Sequence, residues 1–277
     1  MSFPLDLSIR LDQSNVKLSI PAGSSYTGTV KVYNQANHPV AVKIYLQDWE
    51  YTDKQDGSKD FFPAGSTSFS CAPWISFSPS ELIIPAYGVK QVNYTINIPS
   101  QAIGAYYCVM FFETDMGKSA EAKELAPEEM QSSIALKVRL GLLFFVESKD
   151  TAKRRAEITN FSVEKSHKDK YLLIQADLKN TGNTYIIAYG TYHIMDNKGI
   201  VYARGEFNKV YTFAGDTAKL IATWKEGLPK GKYSAVLTVD IGKGQEEAGL
   251  DRGPVIVKEA QIEIGEEGEI LKVGELK

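Results

Sequence analysis

Three histidines (His38, His167, His193) and two cysteines (Cys71, Cys108) are the entire supply of imidazole and thiol in 277 residues. No histidine has a second ligand or a nucleophile at a diagnostic spacing, and a zinc site needs three or four such donors. The HExxH, GxSxG and P-loop patterns are absent. Gly242-Lys243-Gly244 lacks the third glycine of a dinucleotide fingerprint and runs from a β-rich stretch into polar residues, so it reads as a hairpin turn. Asp53, Asp56 and Asp60 crowd one loop but miss the spacing and terminal Glu of a calcium loop, so they read as a solvated segment. Glu128-Glu129 and Glu266-Glu267 sit in polar stretches where neither pKa would move far. The residue types argue against an enzyme and point to no metal and no cofactor.

Three other sets could do work without catalysis. Cys71 and Cys108 form either one disulfide, in an oxidising compartment, or two separate buried thiols; spacing alone does not choose. Trp49, Tyr51, Phe61, Phe62 and Trp74 flank a long loop at 50–66. Aromatics there either cover a core or stack on a sugar ring or a partner chain. The third set is the run at 133–147. Ile134, Leu136, Val138, Leu140 and Leu142 make one apolar stripe, and Ala135, Lys137, Arg139 and Gly141 make the opposite face. If this strand is an edge, its free N–H and C=O groups can accept a partner strand. If it is central, the stripe packs its own core.

The elements that must hold these residues are β-strands. Period-two alternation in short runs is the dominant pattern, as in Val92, Tyr94 and Ile96 against Asn93, Thr95 and Asn97. It predicts strands near 15–20, 26–33, 39–47, 67–77, 81–85, 89–98, 104–114 and 133–147. A second set falls near 155–164, 170–180, 185–196, 199–205, 207–213, 217–224, 231–241 and 254–264. Asn197-Lys198-Gly199 and the stretch 165–170 read as hairpin turns. The stretch 119–130 has helix-forming residues, but Pro127 interrupts it, so it reads as a mobile polar loop. Two sets of short strands imply an all-β chain of two tandem immunoglobulin-like β-sandwiches. Domains are expected at 1–148 and 149–265, with a polar tail at 266–277. The sets echo each other: a strand runs into Asn34-x-x-Asn37 in one and Asn180-x-x-Asn183 in the other, and Pro99 to Tyr106 parallels Pro229 to Tyr233. A Tyr in that place can bond back to the main chain at the sandwich corner.

The net charge of -3 argues against a nucleic-acid partner. No apolar run approaches about 18 residues, so no transmembrane segment is expected. Residues 1–10 show neither a basic nor an apolar leader region, which fits either a cytosolic protein or one whose signal peptide has been removed.

The run Ile134 to Leu140, the preceding polar loop and the two-domain plan resemble the PapD-like periplasmic pilus-assembly chaperones. Asn34, Pro79 after Trp74-Ile75-Ser76-Phe77, and Ile98-Pro99 also look like landmarks of that family. The resemblance implies a periplasmic, chaperone-like protein that lends the stripe Ile134, Leu136, Val138, Leu140 and Leu142 to a pilin-like or surface subunit. In that family an Arg of the first strand and a Lys of the last anchor the client's carboxylate. Leu18 and Gly141 occupy those places here, leaving Arg139 and Arg10 as candidate anchors. The order Ile20-Pro21-Ala22-Gly23, Asn34, Ile98-Pro99, Gly104 is similar as well to WxL-interacting surface proteins. That likeness implies an extracellular adhesion or peptidoglycan-binding module, with Trp49, Tyr51, Phe61 and Phe62 as candidate glycan or partner contacts.

Overall fold

The computed structural model describes residues 8–116, 136–165, 171–243, 245, 250 and 252–277. Ile134, the stretch 119–130, Glu128-Glu129, His167 and Gly244 lie outside these residues. Among the described residues every regular element is a β-strand, apart from one short 3-10 turn at Ala72–Trp74. It divides into two compact units, each a β-sandwich.

The first unit comprises Met1–Glu50, Phe61–Ala102 and Tyr106–Asp150. Its strands are β1 (Ile9–Leu11), β2 (Asn15–Ile20), β3 (Ser25–Asn34), β4 (Val40–Tyr51), β5 (Lys59–Pro63), β6 (Ile75–Ser78), β7 (Glu81–Ile84), β8 (Val89–Asn97), β9 (Ala105–Met116) and β10 (Leu136–Ser148). One sheet runs β1-β3-β8-β6 and the other β2-β10-β9-β4-β5, with β7 also paired to β4. Alternation sends Val30, Val32, Val92, Tyr94 and Ile96 from the first sheet against Ile44, Met110, Phe112, Leu142, Phe144 and Val146 from the second. Each such buried side chain contributes about 1.5–3 kcal/mol of transfer free energy.

The second unit comprises Thr151–Lys277 with Tyr51–Asp60 and Ile103–Ala105. Its strands are β11 (Ala156–Lys165), β12 (Leu172–Asn180), β13 (Ile186–Asp196), β14 (Val201–Glu206), β15 (Val210–Thr212), β16 (Thr217–Trp224), β17 (Gly231–Asp240), β18 (Val255–Ile264) and β19 (Ile270–Val273). The order β11-β12-β16 faces the order β14-β13-β17-β18-β19, with β15 paired to β13. Ile174, Leu178, Ile194, Leu220, Leu237 and Val239 fill the space between them.

Several expectations shift. The strand read at 67–77 is a turn and a 3-10 turn before β6 begins at Ile75, because Pro73 cannot sustain a ladder. The segment read as a loop at 50–66 contains β5, and its residues Tyr51–Asp60, which include the end of β4 and the first two residues of β5, group with the second unit. There Tyr51 lies 4.8 Å from the Phe213 ring and 5.4 Å from the Tyr211 ring. The Tyr211 amide donates to the Gln55 carbonyl at 2.9 Å. The stretch read as a polar tail at 266–277 holds β19, paired to β18, and Lys277 exchanges backbone bonds with Glu259. Turn chemistry matches the reading at Asn197-Lys198-Gly199. Gly199 has φ 81°, and Asp196 Oδ1 accepts from the amides of Lys198 and Ile200. The corner tyrosine also matches, as Tyr233 Oη donates to the Pro229 carbonyl at 2.7 Å.

Candidate partner-binding strand

β10 lies between β2 and β9 in the larger sheet of the first unit. The two halves of the strand have different surroundings. From Leu143 onward it pairs in parallel with β2, with Leu143 opposite Asn15 and Ser148 opposite Ile20. The Leu143 amide donates to the Ser14 carbonyl at 3.0 Å. β2 starts at Asn15, and β1 before it joins the other sheet by pairing with β3. Residues 136–142 therefore have β9 on one side and, among the described residues, no strand on the other.

Side chains alternate along the strand. Leu142, Phe144 and Val146 are each 0 % exposed in the unit's own core, and Leu140 packs partly against it. This corrects the expectation that Leu142 faces a partner: the core encloses it. Val138 and Leu140 are half-buried, while Lys137 and Arg139 are exposed on the opposite face.

That opposite face carries a polar and aromatic cluster. The Arg139 guanidinium lies 4.4 Å from the Phe111 ring centre and 5.1 Å from that of Phe61, and donates weakly to Gln47 Oε1 at 3.4 Å. Lys137 pairs with Glu113 at 3.0 Å, and Tyr45 Oη donates to the same carboxylate at 2.8 Å. The Tyr45 hydroxyl, and then Lys137, hold the Glu113 carboxyl below the usual range. Burial, and then the bond to Glu113, pushes the Tyr45 phenol up.

The candidate anchors separate. Arg139 projects from β10 of the larger sheet, whereas Arg10 is in β1 of the smaller one, its guanidinium 4.2 Å above the Tyr33 ring. Leu18 packs against the core and Gly141 has no room for a side chain. A Cβ at Gly141 would come within 2.9 Å of Val109 Cγ2 and 3.3 Å of Phe111 Cε1. A lysine there would have to shift the Val109 side chain and would crowd the Phe111 ring on which Arg139 stacks.

The candidate glycan contacts do not form one platform. Trp49 is 1 % exposed, donates its indole N–H to the Cys108 carbonyl at 3.1 Å, and packs edge-on against Phe145 at 5.5 Å. That corrects its place as a surface contact. Tyr51 stacks within the second unit as described above, and burial pushes its phenol far up. Phe61 leans on Phe111 at 4.9 Å, and Phe62 is half-buried.

One residue of this region escaped sequence reasoning. Asp48 is fully buried and accepts from the Thr67 amide at 2.9 Å, Thr67 Oγ1 at 3.2 Å and Ser70 Oγ at 2.6 Å. An aspartate inside a strand pattern was the available signal, since a buried carboxylate must have such donors. Beside it, Cys71 and Cys108 bring their sulfurs to 3.1 Å, both at 0 % exposure.

Among the described residues no group of three or more His, Cys, Asp or Glu is placed to hold a metal ion. No helix there is long and apolar enough to cross a membrane.

No family model matches the sequence, and no curated protein does. Solved structures do match. The chain is similar in fold to fimbrial chaperones. The class 5 fimbriae chaperone CfaA matches at 12% identity and a TM-score of 0.48, over 91% of this chain and 98% of that one. The E. coli chaperone DraB matches at 12% identity and 0.42, over 98% of each chain. The chaperone–tip subunit pre-assembly complex CsuC–CsuE of archaic Csu pili from Acinetobacter baumannii matches at 14% and 0.43, over 91% of this chain and 98% of that one.

Proposed function

We propose that this protein is a non-enzymatic assembly factor of the cell envelope. It holds a pilin-like or surface subunit by adding one strand of that subunit to the open half of β10. The observation that carries this reading is the register in which β2 stops covering β10 at the Leu143–Asn15 pair. The N–H and C=O of Leu143 point toward β2, and strand alternation aims those of Gly141, Arg139 and Lys137 the same way. A strand laid in line ahead of β2 would satisfy them. Main-chain bonds then supply affinity, and alternate side chains supply specificity. Half-buried Val138 and Leu140 offer apolar contact on one face of that strand. On the other, exposed Lys137 and Arg139 discourage two copies of the same edge from pairing, as like charges do on protected edges.

Arg139→Pro tests the reading, because it removes an N–H on the open side and takes nothing from the β9 ladder. Arg139→Ala controls for the lost guanidinium. The expected result is that the proline variant captures a co-expressed surface subunit at least about tenfold less well, while its melting temperature stays within about 3 °C of the alanine variant. Hydrogen exchange at 137, 139 and 141 should slow when the subunit is bound. Undiminished capture by the proline variant would refute strand addition at this edge. Leu142→Lys should instead unfold the first unit, at a cost of about 3–5 kcal/mol.

A further inference from the structure

We infer that Cys71 and Cys108 are a covalent modification site: a disulfide closed while the first unit folds and sealed from solvent afterwards. The two sulfurs are 3.1 Å apart across 37 residues of chain. A disulfide bond is about 2.0 Å long, so a side-chain adjustment of about 1 Å closes it. The backbone already brings the pair together. Ser70 bridges in parallel to Tyr107, the Cys71 amide donates to the Tyr107 carbonyl at 3.1 Å, and the Tyr107 amide donates to the Phe69 carbonyl at 2.7 Å.

The position has a mechanical purpose. Residues 67–74 are the stretch of this unit that joins the sheet by an isolated bridge and a 3-10 turn, where its neighbours are strands with continuous ladders. Asp48 holds the start of the stretch through Thr67 and Ser70. Phe69 packs edge-on against Tyr107, which in turn packs against Trp49 at 5.8 Å and edge-on against Phe145 at 5.9 Å. A bond from Cys71 to Cys108 in β9 would fasten this stretch to the sheet and remove loop freedom from the unfolded chain.

The timing follows from burial. Exchange requires a thiolate to reach an external disulfide. Both sulfurs are at 0 % exposure, and burial pushes the Cys108 thiol well up, so the folded thiols are inert. With glutathione disulfide as oxidant, one cysteine thiolate attacks a glutathione sulfur and displaces a glutathione thiolate. The second cysteine thiolate then attacks the protein sulfur of the mixed disulfide and displaces the other. Two protein thiols are oxidised, one glutathione disulfide is reduced to two glutathiones, and the two thiol protons end on the displaced glutathiones. Reactants meet only before residues 67–74 dock on β9.

The full chain is unfolded in denaturant and refolded with reduced and oxidised glutathione, or with reductant alone. Expected is an intact mass ~2 Da lower in the first case, with Cys71 and Cys108 in one linked peptide, and a melting temperature ~10 °C above the reduced form. Reduced protein that is already folded should keep both thiols in the same buffer for hours, and Cys71→Ala should show no mass loss in either case. Two free thiols or glutathione adducts after oxidative refolding would overturn the bond. Oxidation of the folded protein as fast as the unfolded chain would overturn the sealing, and an unchanged melting temperature would overturn its role as a fastener.

Discussion

Asn34 and Asn180 make the same pair of bonds in the two units. Each carboxamide donates to the carbonyl four residues on, His38 at 2.8 Å and Thr184 at 2.9 Å. Each accepts from the amide two residues on, Ala36 at 2.8 Å and Gly182 at 3.0 Å. Both residues are buried, and each adds a partner from another part of its unit. Asn34 also donates to the Ile84 and Pro85 carbonyls, and Asn180 reaches Thr212 Oγ1 at 3.4 Å. The side chain thus closes the turn after a strand and ties it to the rest of its sandwich.

Replacing either asparagine by aspartate removes the donor and keeps the shape. Each variant should lose at least about 1–3 kcal/mol in urea denaturation, because the acceptors lose their donor and face a buried carboxylate. Wild-type stability in Asn34→Asp would show that the donated bonds do not hold the turn.

Gly28 in β3 faces Tyr94 in β8, and a Cβ at Gly28 would fall inside the Tyr94 ring and hydroxyl. Gly28→Val should cost about 2–3 kcal/mol by overpacking. A cycle with Tyr94→Ala should show the two changes coupled by about 1–3 kcal/mol. Additive losses would mean that the ring has room to move aside.

Tyr94 also contributes to an alkaline limit. Burial, and then Tyr26 and Asp12, push its phenol up from 10.0 to about 12. Below the unfolded value both states keep the proton and stability is whole. Between 10.0 and about 12 the unfolded chain gives up its proton first, so stability falls as pH rises. Tyr94→Phe should flatten that fall in melts from pH 9 upward, and an unchanged slope would assign the loss to other groups.

Glu113 works at the acid end. Its carboxyl is held low by Tyr45 and Lys137, so the contribution is present above the unfolded carboxyl value and fades as pH drops through the folded one. Glu113→Gln should be slightly less stable than wild type at pH 7 and indistinguishable from it once both carboxyl forms are protonated. The group is near the surface, so the gap should shrink in high salt.

Much of the fold was legible locally. Alternation at Val92, Tyr94 and Ile96 reports a half-buried strand, and Asp196, Gly199 and the paired asparagines report their turns through their own hydrogen-bonding habits. Ile9–Leu11, Lys59–Pro63 and Ile270–Val273 were missed, because three to five residues hold too few periods to register. Trp49 and Tyr51 looked alike in sequence, yet one is closed in by Tyr107 and Phe145 and the other by Tyr211 and Phe213.

The amino-acid sequence by itself determined that this chain is a set of short strands in two similar sandwiches, that Leu142 and Arg139 point opposite ways, and that few residues suited to catalysis are present. Each of these depends on residue type and period along the chain. Only the tertiary structure decided that β2 covers β10 from Leu143 onward while, among the described residues, no strand pairs with 136–142 on that side, and that Cys71 meets Cys108. The physical reason is that both depend on pairings between distant segments. The crossing from Leu11 to Asn15 puts β1 and β2 in different sheets, and it sets where the cover of β10 begins, opposite a residue more than a hundred positions away.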